Sequence, residues 1–315
     1  MLAGGEVSGS AGLEWRGWFL TLVHLSMRPR QISAMIRLRN EEEFLLPAVE
    51  SIADAVDEIV LVDNLSTDDT PRLIARLRQK YPRKVACFTY PYEVRRVGRE
   101  HWELVSSGDF SSPHLSGNYY NWCLRRCRHR YVLKWDGDMI ATEAFRDAIA
   151  QWRRQPVPIL VMNGVNVHPD RAHLVAARSS DRAGMLKRFR LPGMPSWATS
   201  LTHDAPEPRL YPRWRAVYHN QSGWTQTLSS PFWNAPFRRE LRGVGYLHMK
   251  FCKRDPLANY SPELAAAIAD NVIAGPAMDR SLLDLLSRSG LRRSFGDSLW
   301  LGETPLAAPV AQSCQ

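Results

Sequence analysis

The sequence predicts an α/β fold, an open and mainly parallel sheet flanked by helices. Three observations predict it. Short β-branched and apolar runs at residues 31–38, 58–62 and 85–90 alternate with two helical patterns, a βαβαβ arrangement. The first two runs end in polar side chains, Asn40 after one and Asp63-Asn64 at the other. A later run, YVLKW at residues 131–135, leads into two aspartates, Asp136 and Asp138, with Gly137 between them. Right-handed crossovers gather the carboxyl ends of parallel strands at one edge, which is where such sheets bind ligands.

The elements follow in order. QISAMIRL reads as the first strand, and Asn40 as the cap of a helix, with Glu43 completing a capping-box-like pattern. That helix sets Phe44, Leu45, Ala48, Val49 and Ile52 on one stripe. EIVLV is a buried strand. After the polar turn LSTDD, Thr70-Pro71 opens the second helix, which turns Leu73, Ile74 and Leu77 inward. Residues 85–90 form the third strand, and 91–115 are irregular. A helix at 118–128 precedes the YVLKW strand. Thr142 caps a further helix to about residue 153, and 158–167 is another strand. Residues 168–242, rich in Pro, Trp and Arg, read as a mixed β and loop half. A late strand at 243–251 and helices at 262–274 and 279–287 complete the chain. The implied division is an N-terminal extension over 1–30, a main domain over 31–256 with halves at 31–165 and 166–256, and a helical extension over 257–315.

Composition bounds the function. A chain of 315 residues can bury a large core in one domain or two. Its net charge of +9 favours anionic partners. The basic residues lie in small clusters at 95–96, 125–130 and 238–242, and no zinc-finger spacing or RNP-like strand accompanies them, so no nucleic-acid partner is expected. Cys87, Cys123, Cys127, Cys252 and Cys314 make neither a disulfide framework nor a zinc site; reduced thiols and a cytoplasmic setting are expected. No apolar run reaches the roughly 18–20 residues that span a bilayer. The short apolar stretch at 18–25 could make a peripheral contact at the inner membrane face, and Met27 is an alternative start.

Asp136 and Asp138 stand one residue apart, so in a strand their side chains point the same way and could converge on one hard cation. Asp-Gly is also a common turn dipeptide, and an acidic turn is the plainer reading of these residues alone.

The segments ISAMIRLRNEEEFLLPAVESI, DEIVLVDNLSTDDT and YVLKWDGDM, in that order, resemble a family-2-type glycosyltransferase of the GT-A fold, itself a Rossmann-type sheet. The resemblance covers residues 31–165. It continues more weakly through EPRLYPRW, VYHN and GYLHMKF, which look like bacterial lipopolysaccharide-type members. It implies that Arg37, Arg39 and Asn40 border the nucleotide base, with Asp63 and Asn64 on the base or ribose. It implies that Asp136 lies near the ribose and a metal-bound water, that Asp138 coordinates Mg²⁺ or Mn²⁺, and that His248 touches the metal or the diphosphate. The implied reaction moves a sugar, with inversion, from a UDP- or GDP-sugar to a hydroxyl of a glycan or lipid-linked glycan. Relatives often carry an acidic residue after the histidine of the later element, whereas this chain has His219-Asn220. Asp204, Glu207, Glu240 and His219 are the candidates for the proton, with Glu207, which directly precedes the PRL element, preferred. Two alternatives stand beside this reading: a nucleotidyltransferase, which RLRNEEE disfavours by lacking glycine, and a non-catalytic nucleotide- or glycan-binding protein derived from the fold.

Overall fold

The computed structural model describes residues 30–155, 157–171, 173–177, 203–220, 226–229, 238–241 and 244–277. Strands β1 (Ile32–Leu38), β2 (Glu58–Asp63) and β3 (Val85–Thr89) are joined by helices α1 (Leu45–Ile52) and α2 (Thr70–Lys80). All three strands run parallel, and β4 (Tyr131–Asp136) adds in parallel on the other side of β1. The order β3-β2-β1-β4 is the parallel half of the sheet.

The second half is mixed. Strand β8 (His203–Pro212) runs antiparallel to both β4 and β6 (Ile159–Asn166). Strand β12 (Tyr246–His248) is parallel to β6, and β5 (Met139–Ala141) closes that edge antiparallel to β12. The short β11 (Arg238–Glu240) also pairs with β6. Two small ribbons stand apart, β9 (Val217–Asn220) with β10 (Gln226–Ser229), and β7 (His173–Ala177) with β13 (Val272–Ala277). Helices α3 (Arg99–Ser106), α4 (Ser116–Arg126), α5 (Glu143–Trp152) and α6 (Pro262–Asn271) complete the described elements.

Alternation along β1 builds two cores. Ile32, Ala34 and Ile36 face a cluster with Leu45, Val49 and Ile52 of α1 and with Trp135, Phe145 and Trp152. Met35 faces the opposite cluster with Val60, Val62, Tyr119, Tyr120 and Cys123. Leu45, Ala48, Val49 and Ile52 are fully buried, and each large apolar side chain so removed from water stabilises the fold by about 1.5–3 kcal/mol. The amino ends of the strands are tied by Glu58, which accepts from Ser33 Oγ and from the Arg128 backbone and guanidinium.

Several expectations are corrected. Asn40 does not cap a helix. It has a φ of 54°, and α1 begins only at Leu45. The backbone N–H groups of Asn40, Glu41 and Glu42 instead donate to Ser66, Thr70 and Asp68, side chains of the LSTDDT turn. The stretch at 91–115 contains α3. The helix expected over 262–274 stops at Asn271, because the chain turns extended at Val272 and pairs with β7. The expected helix at 279–287 lies outside the described residues. Thr142 does cap α5, accepting from Phe145 N. The described cysteines are free thiols. Among the described residues no helix is long and apolar enough to cross a membrane.

Candidate active site

A cavity of about 270 Å³ opens at the carboxyl ends of β1, β2 and β4. Register explains its floor. Arg37 of β1 lies opposite Asp136 of β4, so both side chains leave the same face of the sheet and form an ion pair. The Arg37 guanidinium also stacks 3.6 Å from the centre of the Tyr120 ring. The other oxygen of Asp136 accepts from Arg209 Nη1 at 3.0 Å. Burial alone would raise the Asp136 carboxyl, but Arg37 and then Arg209 hold it well below the usual carboxylate range.

Gly137 lets the chain turn from β4 into β5 against the β1–α1 loop. A Cβ there would meet Leu38 Cδ2 at 2.7 Å and Glu41 Cγ at 2.9 Å. Asp138 follows, nearly fully buried. Strand β12 pairs with β5, and Met249 N donates to the Asp138 carbonyl at 2.9 Å, which brings His248 alongside. His248 Nε2 is 3.2 Å from Asp138 Oδ1. The chain then makes a 3-10 turn over Lys250–Cys252 and delivers Lys253, whose Nζ is 2.8 Å from Asp138 Oδ2 and 3.0 Å from Glu41 Oε1. Burial would again raise the Asp138 carboxyl, but Lys253 and His248 keep it far below its ordinary value. Burial and then the Asp138 charge push the Glu41 carboxyl up, with Lys253 pulling against them. Burial opposes the Lys253 ammonium, which Asp138 and Glu41 nonetheless hold protonated. The shorter contact is to Asp138, so the firm ion pair is placed between Lys253 and Asp138.

The walls are basic. Arg37, Arg39, Arg95, Arg96, Lys250 and Lys253 line the cavity against only three carboxylates, Glu41, Asp136 and Asp138. Such an excess attracts a polyanion. Arg39 is tied to Glu93 at 2.6 Å and to the Val94 carbonyl. Asn64 lines the cavity and fastens its rim, donating to the Tyr92 carbonyl at 2.7 Å and accepting from Val94 N.

The remaining sequence-predicted residues lie elsewhere. Asp63 ends β2 beside Asn64 and accepts from Ser66 N. Asn40 is exposed and accepts from Thr67 N. Glu207 sits on β8, 2.7 Å from Lys134 Nζ and 3.6 Å from Arg209. His219 is exposed on β9, with Nε2 2.7 Å from Ser229 Oγ. Sequence reasoning missed Glu41, Arg209 and Lys253. Arg209 lies within the PRL element, which carries a legible signal. Glu41 belongs to an acidic run, and Lys253 has no motif around it.

Asp138 Oδ1 and His248 Nε2 stand 3.2 Å apart, close to the ~3 Å between adjacent ligands of an octahedral ion with bonds of about 2.1 Å. Among the described residues nothing hydrogen-bonds the buried Oε2 of Glu41. No group of three His, Cys, Asp or Glu among those residues makes a complete cage. The pair therefore suits a hard ion that takes its other ligands from water and substrate phosphates.

The sheet is of the Rossmann type, with an acidic pair at its edge. Residues 33–92, which hold the first three strands, match the family model for glycosyl transferase family 2. The curled, mostly parallel sheet is consistent with the GT-A fold. No curated protein sequence matches the chain. Among solved structures, glucosyl-3-phosphoglycerate synthase from Mycobacterium tuberculosis with Mn²⁺, UDP and phosphoglyceric acid is 17% identical, over 43% of this chain and 44% of that one, with a TM-score of 0.28. The same synthase with Mn²⁺ and UDP-glucose is 18% identical over 46% and 47%, with a TM-score of 0.29. This chain spans less than half the length of either.

Proposed function

We propose that the protein transfers a sugar from a nucleoside-diphosphate sugar to an acceptor hydroxyl. The observation that carries this reading is the cavity itself, six Lys and Arg side chains around the acidic pair Asp136 and Asp138, at the edge of a sheet whose first three strands match the family-2 model. A diphosphate leaving group gains negative charge as its bond to the sugar breaks, and fixed cations stabilise that charge best where water is scarce. Arg95, Arg96 and Lys250 line the walls and bind the diphosphate, while Arg39 and Asn64 hold the rim around the nucleoside. Asp138 and His248 would hold Mg²⁺ or Mn²⁺, which would supply charge neutralisation for the phosphate oxygens.

Asp136 is fixed between Arg37 and Arg209 and orients the ribose side of the site. Of the candidate proton acceptors, Glu207 connects to the cavity through Arg209 and Asp136, whereas His219 is engaged with Ser229. We assign the acceptor proton to Glu207, in an inverting transfer to a glycan-type hydroxyl. The test is release of nucleoside diphosphate from UDP- and GDP-sugars by wild type and by Asp138→Ala. The reading expects release by the wild type and its loss in the variant; equal rates in both would refute it.

A further inference from the structure

We infer that Lys253 is a resident cation at Asp138 that competes with a divalent ion there, and that a nucleoside diphosphate draws it away and so favours the ion. The inference rests on the nucleotide-sugar reading above and adds to it a coupling between nucleotide and ion. The Lys253 side chain is only 11% exposed, and its ammonium bridges Asp138 Oδ2 and Glu41 Oε1 at 2.8 and 3.0 Å. Both carboxylates line the cavity, as does Lys253. Asp138 Oδ1, on the same carboxylate, faces His248 at the spacing of two neighbouring metal ligands. Glu41 Oε2 is buried in the same place and accepts no hydrogen bond among the described residues. The cluster thus holds more acceptor capacity than Lys253 satisfies.

A divalent ion on Oδ1 would share one buried carboxylate with an ammonium on Oδ2. Like charges that close together repel strongly where water is scarce. The lysine and the ion are therefore competitors. Lys253 ends a four-carbon stem just after the 3-10 turn, so its ammonium can leave Asp138 without moving β12. An anion entering the cavity offers it a new partner. A diphosphate that takes the ammonium uncovers Asp138 and Glu41 for the ion. By linkage, ion and nucleotide then raise each other's affinity by the same factor.

The experiment is Mn²⁺ titration of the full chain by electron paramagnetic resonance, with and without saturating UDP or GDP and corrected for the binary Mn²⁺–nucleotide complex. In the wild type, nucleotide should tighten Mn²⁺ binding by about tenfold or more. Lys253→Met should bind Mn²⁺ without nucleotide about tenfold more tightly than wild type and lose most of the coupling, whereas Lys253→Arg should behave as wild type. Lys253→Gln keeps hydrogen bonds to both carboxylates without the charge and repeats the test if the methionine variant does not fold. Folded Met or Gln variants that bind Mn²⁺ no more tightly than wild type without nucleotide overturn the inference, as does Mn²⁺ that binds none of the proteins. Failure of the underlying reading looks different: neither UDP nor GDP would give a heat of binding with the wild type. Failure of this inference alone leaves nucleotide binding intact and Mn²⁺ affinity indifferent to residue 253.

Discussion

Replacing Arg209 by methionine isolates the polar knot under the cavity. The Arg209 side chain is 4% exposed, so its guanidinium is held almost wholly by protein partners. It donates to Asp136 Oδ2 at 3.0 Å and to the Tyr246 hydroxyl at 3.0 Å, lies 3.6 Å from Glu207, and its guanidinium carbon stands 5.0 Å from the centre of the Tyr246 ring. Methionine fills much of the volume but leaves Asp136 with one cation instead of two. Removing one partner of a buried ion pair typically costs 3–5 kcal/mol. Asp136 keeps Arg37 and its side chain is 24% exposed, so the loss should fall at the low end, about 3 kcal/mol. Urea denaturation monitored by tryptophan fluorescence measures it. In a cycle with Asp136→Asn, the double variant should be more stable than the sum of the single losses implies, by about 1–2 kcal/mol. A loss under about 1 kcal/mol for Arg209→Met, or strict additivity in the cycle, would refute the claim that this arginine is bound to the Asp136 charge.

Other expectations follow from the same geometry. Gly137→Ala should weaken nucleotide binding more than it lowers stability, because the added Cβ presses on Leu38 and on Glu41 Cγ at 2.9 Å; calorimetric titration with UDP or GDP beside a urea curve separates the two. Asp136 is held below its ordinary value of 3.8 in the folded protein, so the native state gives up that proton more readily than the unfolded chain. Its contribution is present above pH ~4 and is lost as pH falls below that, so the stability gap between wild type and Asp136→Asn should shrink on acidification from pH 5 to 3. Glu207→Gln should lower the turnover number about 10²-fold or more with little change in donor affinity, measured by nucleotide release against a binding titration. Gly164→Ala should be strongly destabilising, because its Cβ would lie 2.1 Å from the Tyr246 ring that Arg209 contacts; a thermal melt reads this directly.

The parallel half of the fold was legible because its signals are local. Each of the first three strands is a compact β-branched run, and the stripe of α1 is buried where the period placed it. Thr142 was readable as a cap because its hydroxyl serves its own helix. Asn40 misled because its partners come from the β2–α2 turn, more than twenty residues away in sequence. The half from residue 168 onward was opaque for a related reason. Strand β8 carries Lys134's partner Glu207 and Asp136's partner Arg209, and its character comes from pairing on both sides with strands far apart in the chain. The resemblance groups Asp136, Asp138 and His248 as expected site residues, and the structure brings Asp138 and His248 within 3.2 Å. Lys253 and Glu41 could not be found that way: they are 212 positions apart, and only the closure of β12 on β5 makes them one cluster.

The central claim is that the basic cavity receives a nucleoside diphosphate. Thermal melting of the full chain with UDP and GDP, each with and without Mn²⁺, tests it most directly. A ligand present at about 100 times its dissociation constant adds ~2.7 kcal/mol to the folded state, which for a chain of this size raises the melting temperature by roughly 5 °C. The account expects a rise of that order with at least one of the two nucleotides, larger with Mn²⁺ than without. Melting curves unmoved by both nucleotides, with and without the metal, would contradict it.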